Sequence, residues 1–520
     1  MKYRIVIKIE YHFEIRDYLY TTVWNEICNR NEIDFYFLTD DKRIIELINS
    51  RNAPNVKAVS TVYIDPAKKL LYKIRSKVEE KLLLLSYKID QKFLFDTIKQ
   101  RFARINNLSH YFIFKNKSLA EQKRFQNNFF DMRKGWKIAL PFPASKIIFK
   151  TLYLFRNKFL YFPLSNHKAL IKKLDPDLFV FGRSDFPMNA YWAMVVKKSN
   201  IPIAAIVSSW DHPTTKGPLS IFFDFFIVAS KHMKYELSQL HGILNTRITQ
   251  IGKVQMDLFE NRMATENKKE LLTRLGIIDD KKIITFCTNT TGLKEHEVSI
   301  VKWLSQRIKS GIYGRCVLVI RTHPQDINWE LDFNSLSELP DVVCLNGYSF
   351  GASGSTTLRE GNDDQYFLAS LMKNSSIVIQ SRGSIALDAI AFDTPVISIS
   401  FDGDLKQQES DAFLHENMYE HYKPLIRARG MKVVGSYAAM DRAINNYLDN
   451  PKLDEEGREI IRREHINPLD GRAGFRMVEY LVYLAKNGRN ERLPIQKRNG
   501  LGDTTWYSRQ QLNIADYLTV

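Results

Sequence analysis

Apolar runs of strand length alternate with amphipathic stretches along most of this 520-residue chain. In the first half the apolar runs lie at 4–9, 34–39, 177–182, 201–207, 223–230 and 247–252, and helical patterns lie at 19–29, 190–198 and 231–240. Runs this apolar are typical of parallel strands whose two faces are both covered by helices. The pattern therefore predicts an α/β fold built on a parallel sheet.

The same pattern begins again after a charged helical stretch at 260–275. Strands are predicted at 282–287, 316–320, 341–345, 376–380 and 395–400, with helices at 294–309 and 474–486. Two successive units predict two Rossmann-like domains that face each other across a cleft, at 1–255 and 256–486, followed by a polar tail at 487–520. Ligands of such sheets bind beyond the carboxyl ends of the strands, so the loops there are the expected site of chemistry.

Positive charge is concentrated in one segment of the first unit. The chain has 75 Lys and Arg against 58 Asp and Glu, and residues 67–162 alone contain 22 Lys and Arg against 6 Asp and Glu. This segment is also rich in Leu, Phe and Tyr and is predicted to be a basic, mainly helical insert in the first domain. Such helices suit an anionic membrane surface; the alternative is a helical subdomain with a solvated basic face. No recognition-helix, RNP or zinc-finger pattern accompanies the charge, so nucleic acid is not an expected partner.

Several classes of protein are excluded by the motifs that the sequence lacks. There is no P-loop, no GxGxxG after the first strand, no HExxH and no GxSxG, which argues against an NTPase, a nicotinamide enzyme, a zinc protease and an α/β-hydrolase. The four cysteines are far apart and form no CxxC pair, so a disulfide framework is not expected. The sequence has no apolar run of about 20 residues and no signal-peptide pattern, so we expect a cytoplasmic protein.

The loop after the predicted strand 376–380 has the character of a phosphate-binding turn. Ser381, Gly383 and Ser384 open a predicted helix directly after a buried strand, which presents hydroxyl and backbone N–H donors to an anion. Asp388 follows Ser384 by one helical turn, where its carboxylate could accept hydrogen bonds from ribose hydroxyls. The alternative is an ordinary helix N-cap.

Two further loops are predicted to lie at the same sheet edge. Arg321 and His323 end the strand 316–320 and supply a fixed cation and an imidazole for phosphate or sugar. Thr288 begins a small polar loop after the strand 282–287, which either binds phosphate or simply makes a turn. Asp402-Gly-Asp404 matches a short metal-chelating pattern, but the tripeptide is common and we expect a metal-independent site.

In the first unit the loop after strand 201–207 carries the candidate catalytic groups. Asp211 and His212 are adjacent at a strand end, beside Trp210 and Lys216. A carboxylate and an imidazole in this position suit deprotonation of an acceptor hydroxyl, with Asp211 as the first choice of base and His212 as the second. The alternative is a turn with a packed tryptophan.

Taken together, these motifs resemble those of GT-B glycosyltransferases of bacterial surface-carbohydrate biosynthesis. Within them the chain is most similar to the group related to the CDP-glycerol glycerophosphotransferases, which carry a Trp-His-Gly-Thr-Pro-x-Lys stretch and a late Asp-Gly-x-Ala-x-x-Arg motif. The comparable residues here are 210–216 and Asp470, Gly471, Ala473 and Arg476. Asp211 stands where that group has its histidine, and this departure makes a sugar donor a better expectation than glycerol phosphate.

The resemblance implies transfer of a sugar from a nucleotide-activated donor to a surface polysaccharide, with the acceptor often lipid-linked at the inner face of the cell membrane. The donor nucleotide would bind the second domain through the predicted phosphate loops, and the basic insert would hold the protein at the membrane. Two other activities stay open at this point. One is a nucleotide-sugar 2-epimerase, which needs no acceptor, and the other is a CDP-polyol phosphotransferase.

Overall fold

The computed structural model describes residues 2–9, 12–61, 165–184, 189–215, 223–241, 243–260, 265–289, 294–323, 333–345, 363–381, 383–404, 421–491 and 518–519. The predicted insert 67–162 lies outside these residues, so its helices and its membrane contact stay predictions.

The first domain contains seven parallel strands with helices between them. In chain order its elements are β1 (Tyr3–Lys8), α1 (His12–Leu19), α2 (Thr22–Cys28), β2 (Ile33–Thr39), α3 (Lys42–Ser50), β3 (Val56–Ser60), α4 (Ser165–Leu174), β4 (Leu178–Phe181), α5 (Asn189–Lys198), β5 (Ile203–Ile206), α6 (His212–Thr215), β6 (Phe225–Val228), α7 (Lys231–His241) and β7 (Ile248–Gln250). The strands pair in the order β3-β2-β1-β4-β5-β6-β7. The strand order therefore reverses between β1 and β4, which is where a Rossmann-like sheet opens its ligand crevice.

The second domain repeats this arrangement. The elements that follow in the chain are α8 (Lys268–Arg274), β8 (Lys282–Cys287), α9 (Lys294–Lys309), β9 (Cys316–Arg321), β10 (Val342–Leu345), α10 (Asp363–Asn374), β11 (Ser375–Gln380), α11 (Ile385–Ala391), β12 (Val396–Ile399), α12 (Lys423–Arg427), β13 (Lys432–Val434), α13 (Tyr437–Asp449), α14 (Glu455–Ile461), α15 (Ala473–Asn487) and β14 (Leu518–Thr519). All of them except α15 belong to the second domain. Its strand order, β10-β9-β8-β11-β12-β13-β14, places the reversal between β8 and β11. The prediction of two Rossmann-like α/β domains is confirmed.

Each sheet is buried on both faces, which explains why its strands are almost wholly apolar. In β1, Ile5 and Ile7 pack into one core while Val6 packs into the core on the opposite face. The central strands β8 and β11 divide their side chains in the same way between two further cores. Side chains of successive strand residues point to opposite faces, so a sheet covered twice requires apolar residues at nearly every position.

The connection between the domains is a 3₁₀ helix, Val254–Glu260. Val254 packs into the first domain and Met256 into the second. The charged helix predicted at 260–275 is shorter than expected, and α8 starts only at Lys268. The reason is a capping box: Asn267 accepts the backbone N–H of Glu270, whose carboxylate accepts the N–H of Asn267.

The last long helix, α15, returns to the first domain. Met477, Val478 and Leu481 belong to the core that covers one face of the first sheet. The chain then contributes β14 to the edge of the second sheet, where it pairs with β13. Among the described helices, none has an apolar stretch long enough to cross a bilayer.

Gly474→Ala tests how tightly α15 docks on the first domain. A Cβ atom on Gly474 would lie 2.7 Å from the backbone nitrogen of Val23 and would overlap the Thr22 hydroxyl. We expect a loss of about 1–3 kcal/mol in the free energy of unfolding, because α2 and α15 must move apart. Denaturant unfolding measures it. The exposed Lys486→Ala on the same helix is the control and should stay within about 0.5 kcal/mol of the parent; equal effects of the two changes would show that the contact is not tight.

Candidate functional site

The carboxyl edges of the two sheets face each other across the domain boundary. Lys253, which follows β7, pairs through Nζ with Asp388 Oδ1 of α11 at 2.8 Å. Thr214, in the segment after β5, lies with its Oγ1 3.2 Å from Nδ1 of His421, in the connection after β12. The ring of Trp210 meets the His421 ring edge-on, with the centroids 4.7 Å apart. The loops that follow strands in both domains therefore line one cleft.

The loops after β8 and β9 are joined at the second-domain side of this cleft. The hydroxyl oxygen of Thr288 accepts the backbone N–H of His323 at 3.0 Å, and the N–H of Thr288 donates to the carbonyl of Arg321 at 3.0 Å. Arg321 is buried and His323 is half-buried. The structure thus brings Thr288, Arg321 and His323 together at one sheet edge; their contacts with a nucleotide stay predictions.

A buried carboxylate, Glu297, links the loops after β8 and β11. Its Oε2 accepts the backbone N–H of Asn289 at 2.7 Å and its Oε1 accepts the hydroxyl of Ser381 at 2.9 Å. The side-chain amide of Asn289 also donates to the Ser381 oxygen. Ser381 is predicted to bind phosphate, but its single hydroxyl hydrogen is donated inside the domain, to Glu297.

Sequence reasoning missed Glu297, although a signal was present. Glu297 stands on the apolar stripe of α9 with Ile300, Val301 and Leu304, and it is fully buried. A carboxylate at such a position must be paired or hydrogen-bonded, because burying an isolated charge is costly. Glu297 binds the loops after β8 and β11, the two strands between which the order of the second sheet reverses.

At the start of α11, the residues predicted to bind phosphate and ribose differ in their contacts within the protein. The N–H of Gly383 donates to the side-chain oxygen of Gln380. Ser384 is the N-cap of α11 but makes no side-chain capping bond, and it is exposed. The Asp388 carboxylate, predicted to accept ribose hydroxyls, is paired with Lys253. A ribose would have to compete with this ion pair or bind beside it.

The two candidate catalytic groups of the first domain differ in exposure. The Asp211 carboxylate accepts the hydroxyl of Ser209 and is half-buried. Its backbone carbonyl accepts the N–H and the hydroxyl of Thr214 at 3.1 and 3.0 Å, which starts the short helix α6. His212 is 5% exposed. Asp211 is thus the more accessible of the two, and its role as base stays a prediction.

The late motif at 470–476 has a structural role in this protein. Arg476 binds Asp470 through both Nη atoms, at 2.8 and 2.9 Å, and its Nε donates to the carbonyl of Ile251 at 2.6 Å. The Arg476 guanidinium holds the pKa of the Asp470 carboxyl below its usual range. The motif therefore fixes the start of α15 against the segment that carries Lys253 into the cleft.

A cavity opens at the carboxyl edge of the first sheet. It lies between α1, the ends of β4 to β6 and the segment after β7, and its polar lining residues include Glu14, Asp17, Tyr18, Ser208, Lys253 and Gln255. Gln255 Nε2 donates to Asp17 Oδ1 at 2.6 Å. Burial raises the pKa of the Asp17 carboxyl, opposed by Arg16 and by Gln255. Among the described residues, no His, Cys, Asp and Glu side chains group as a metal site requires, and metal independence stays a prediction.

Two buried basic groups, Lys8 and His167, lie near each other in the first domain. Burial lowers the pKa of Lys8, at the end of β1, to about 8 against the opposing attraction of Asp40 and Glu14. Burial and the nearby Lys8 charge lower the pKa of His167 to about 4. His167 is therefore neutral at pH 7.

The protein should lose stability in mild acid because of this histidine. An unfolded chain binds a proton at His167 near pH 6.5, whereas the folded chain does so only near pH 4. Between about pH 6.5 and about pH 4 the unfolded state binds more protons, so the free energy of unfolding should fall by on the order of 2 kcal/mol. His465, whose pKa burial also lowers, acts in the same direction. Urea unfolding across this range measures the slope, and His167→Gln should flatten it. An unchanged slope in the variant would exclude His167 as its source.

The fold is of the GT-B type, two Rossmann-like domains whose carboxyl edges enclose a cleft. A solved structure from Listeria monocytogenes, assigned as a UDP-N-acetylglucosamine 2-epimerase, shares it with a TM-score of 0.50 and 11% identity, over 95% of this chain and 99% of that chain. The UDP-GlcNAc 2-epimerase from Neisseria meningitidis bound to UDP-GlcNAc matches with a TM-score of 0.49 and 14% identity, over 92% and 100%. The wall teichoic acid polymerase TagF matches with a TM-score of 0.38 and 12% identity, over 60% and 73%. No protein-family model and no curated protein sequence matches the chain.

Proposed function

We propose that the protein is a glycosyltransferase that moves a sugar from a nucleotide-activated donor to an acceptor held by the first domain. The observation that carries this proposal is the meeting of the two carboxyl edges, with the hydrogen-bonded loops of Thr288, His323 and Ser381 at the reversal point of the second sheet. Reversal points of this kind are where open α/β sheets bind nucleotides.

Each side of the cleft has a separate task in this proposal. Arg321 and His323, with the first turn of α11, bind the donor's phosphates and stabilise the negative charge that develops on the departing nucleotide, without a metal. Asp211 removes the proton from the acceptor hydroxyl as it attacks the anomeric carbon, with His212 as the second candidate. Once Lys253 releases it, Asp388 is free to accept the ribose hydroxyls.

A thermal-shift screen against CMP, CDP, UDP, GDP and their sugar conjugates tests the nucleotide part. A ligand that binds only the folded state at one hundred times its Kd stabilises it by about 2.7 kcal/mol, so the cognate nucleotide should raise Tm clearly. Arg321→Gln should reduce that shift. Arg315→Gln, at the opposite end of β9 with a side chain 71% exposed, is the control and should leave it unchanged. If no nucleotide raises Tm, the proposal is wrong.

The acceptor is proposed to be a lipid-linked surface polysaccharide at the inner, cytoplasmic face of the cell membrane. The basis is the composition of residues 67–162, where positive charge and large apolar residues coincide. The 520-residue protein should float with phosphatidylglycerol vesicles and should not float with phosphatidylcholine vesicles. Deleting 67–162 should abolish flotation while the nucleotide-induced rise in Tm persists. Equal flotation with and without the segment would remove the membrane proposal.

A nucleotide-sugar 2-epimerase is the second candidate, and one observation favours it. Two carboxylates, Glu14 and Asp17, line the same first-domain cavity, as suits an enzyme that removes a proton from a sugar carbon and returns it. Incubation with nucleotide-sugars in deuterium oxide, without acceptor, separates the two activities. Deuterium at C2 of a recovered epimer would establish the isomerase, whereas an unchanged nucleotide-sugar favours the transferase.

A further inference from the structure

A chain of polar groups runs through the otherwise apolar core near the ends of β11 and β12. The side-chain amide of Gln380, the last residue of β11, donates to the hydroxyl oxygen of Tyr422 at 2.7 Å, and that oxygen lies 3.1 Å from Ser398 Oγ. All three side chains belong to residues that are at most 1% exposed. The Gln380 side-chain oxygen in turn accepts the backbone N–H of Gly383. A satisfied polar network in a core specifies one arrangement of its members, whereas apolar side chains there would allow several.

The ring of Tyr422 contacts the first domain. It meets the ring of Trp210 with the centroids 5.9 Å apart and the planes at 63°. Trp210 packs against a core of each domain, and it directly precedes Asp211, the proposed base. His421, the neighbour of Tyr422, contacts the same loop through Trp210 and through Thr214. Because aromatic rings are rigid and pack in preferred geometries, these contacts fix the loop after β5 relative to the second domain.

We infer that Tyr422 is a positioning residue with two separate contacts. Its hydroxyl holds Gln380, and thereby the loop after β11 that is proposed to face the donor's phosphates. Its ring holds Trp210, and thereby the loop that carries Asp211. The inference rests on the proposed function, because it assigns the residue that sets the base at a fixed distance from the donor. Tyr422 acts only through these neighbours, since it is 0% exposed and cannot touch a substrate.

Tyr422→Phe removes the hydroxyl contact and keeps the ring. Gln380 then loses its acceptor and holds the Gly383 N–H less firmly, so deuterium uptake in peptides covering 383–391 should become faster, with little change in 208–215. The Kd of UDP or CDP, whichever raises Tm of the parent, should rise about threefold to tenfold, the effect of one hydrogen bond.

Tyr447→Phe is the matched control. Tyr447 is also 0% exposed in the second domain, and its hydroxyl donates to Asp454 Oδ2 at 2.8 Å, but it packs into the core on the other face of the sheet. The control should leave both the uptake in 383–391 and the nucleotide Kd unchanged. Equal effects of the two tyrosine variants would overturn the inference, because they would show that any buried tyrosine of this domain has the same influence.

Trp210→Leu removes the ring contact and keeps the polar chain. Deuterium uptake in 208–215 should rise, and kcat for sugar transfer from the nucleotide-sugar that raises Tm should fall at least tenfold, with a smaller change in KM. Trp210→Phe should retain most of the parent kcat, because it keeps an aromatic contact with Tyr422. A loss of nucleotide affinity as large as the loss of kcat would contradict the separation of the two contacts.

The measurements distinguish this inference from the proposed function. Deuterium uptake is measured on the protein without nucleotide, so it decides the positioning role by itself: unchanged uptake in both variants would overturn the inference. If instead no nucleotide raises Tm of the parent, the proposed function is wrong, whatever the uptake shows.

Discussion

Asp211→Asn is expected to lower the turnover number about a hundredfold or more while leaving Tm unchanged. The amide keeps the shape of the carboxylate and can still accept the Ser209 hydroxyl, so the start of α6 is preserved. What it loses is the ability to take a proton, and general bases typically contribute about 10²–10⁴-fold to rate. The measurement is single-turnover transfer from the nucleotide-sugar identified by thermal shift, with KM and kcat determined separately.

The control for this prediction is His212→Gln, which changes the neighbouring candidate. If the assignment is right, His212→Gln should have the smaller effect on kcat, and the pH profile of the parent should lose its acidic limb in Asp211→Asn. A drop of less than about tenfold, worth only about 1.4 kcal/mol of transition-state free energy, would rule out Asp211 as the base.

Glu297→Ala is expected to cost about 2–4 kcal/mol of the free energy of unfolding and to weaken nucleotide binding. The change leaves the Asn289 N–H and the Ser381 hydroxyl without their acceptor in a fully buried site, and each unsatisfied buried group costs about 1–3 kcal/mol. The loops after β8 and β11 are then no longer held to each other. Denaturant unfolding measures the stability, and nucleotide titration measures the binding.

Ser299→Ala is the matched control on the same helix. Ser299 is half-buried and accepts the backbone N–H of Asp404 at 3.1 Å, away from the Glu297 group. We expect it to cost no more than about 1 kcal/mol. A double-mutant cycle with Ser381→Ala should show coupling to Glu297→Ala of at least about 0.5 kcal/mol. Additive effects would mean that Glu297 does not organise the β11 loop.

Long elements with a clear apolar pattern were predicted from the sequence, and two of the strands that were missed are half-exposed or very short. The helix expected at 294–309 is α9 with the same bounds, and the strands expected at 282–287 and 376–380 are β8 and β11 within one residue. In contrast, β3 is half-exposed and β13 has only three residues. β3 is an edge strand and is covered on fewer sides, so its sequence shows less apolar pattern, and β13 is too short to show any period.

The sequence could predict which loops of the candidate site lie together only where those loops follow neighbouring strands of one sheet. Loops that follow neighbouring parallel strands must meet at one edge, and the contact between Thr288 and His323 is an instance. The Lys253–Asp388 pair joins residues 135 positions apart in different domains. No periodicity in the chain encodes such a pairing, because it depends on how the two sheets are oriented toward each other.

Local pattern, then, was enough to establish two helix-covered parallel sheets and the polar loops at their carboxyl ends, because burial on both faces leaves a direct mark on composition. Only the tertiary structure revealed that Ser381 donates to a buried glutamate, that Asp388 is already paired, that α15 crosses back to the first domain, and that Tyr18 lines a cavity. These features depend on distances between segments remote in the chain, and such distances are set by packing rather than by the order of residues.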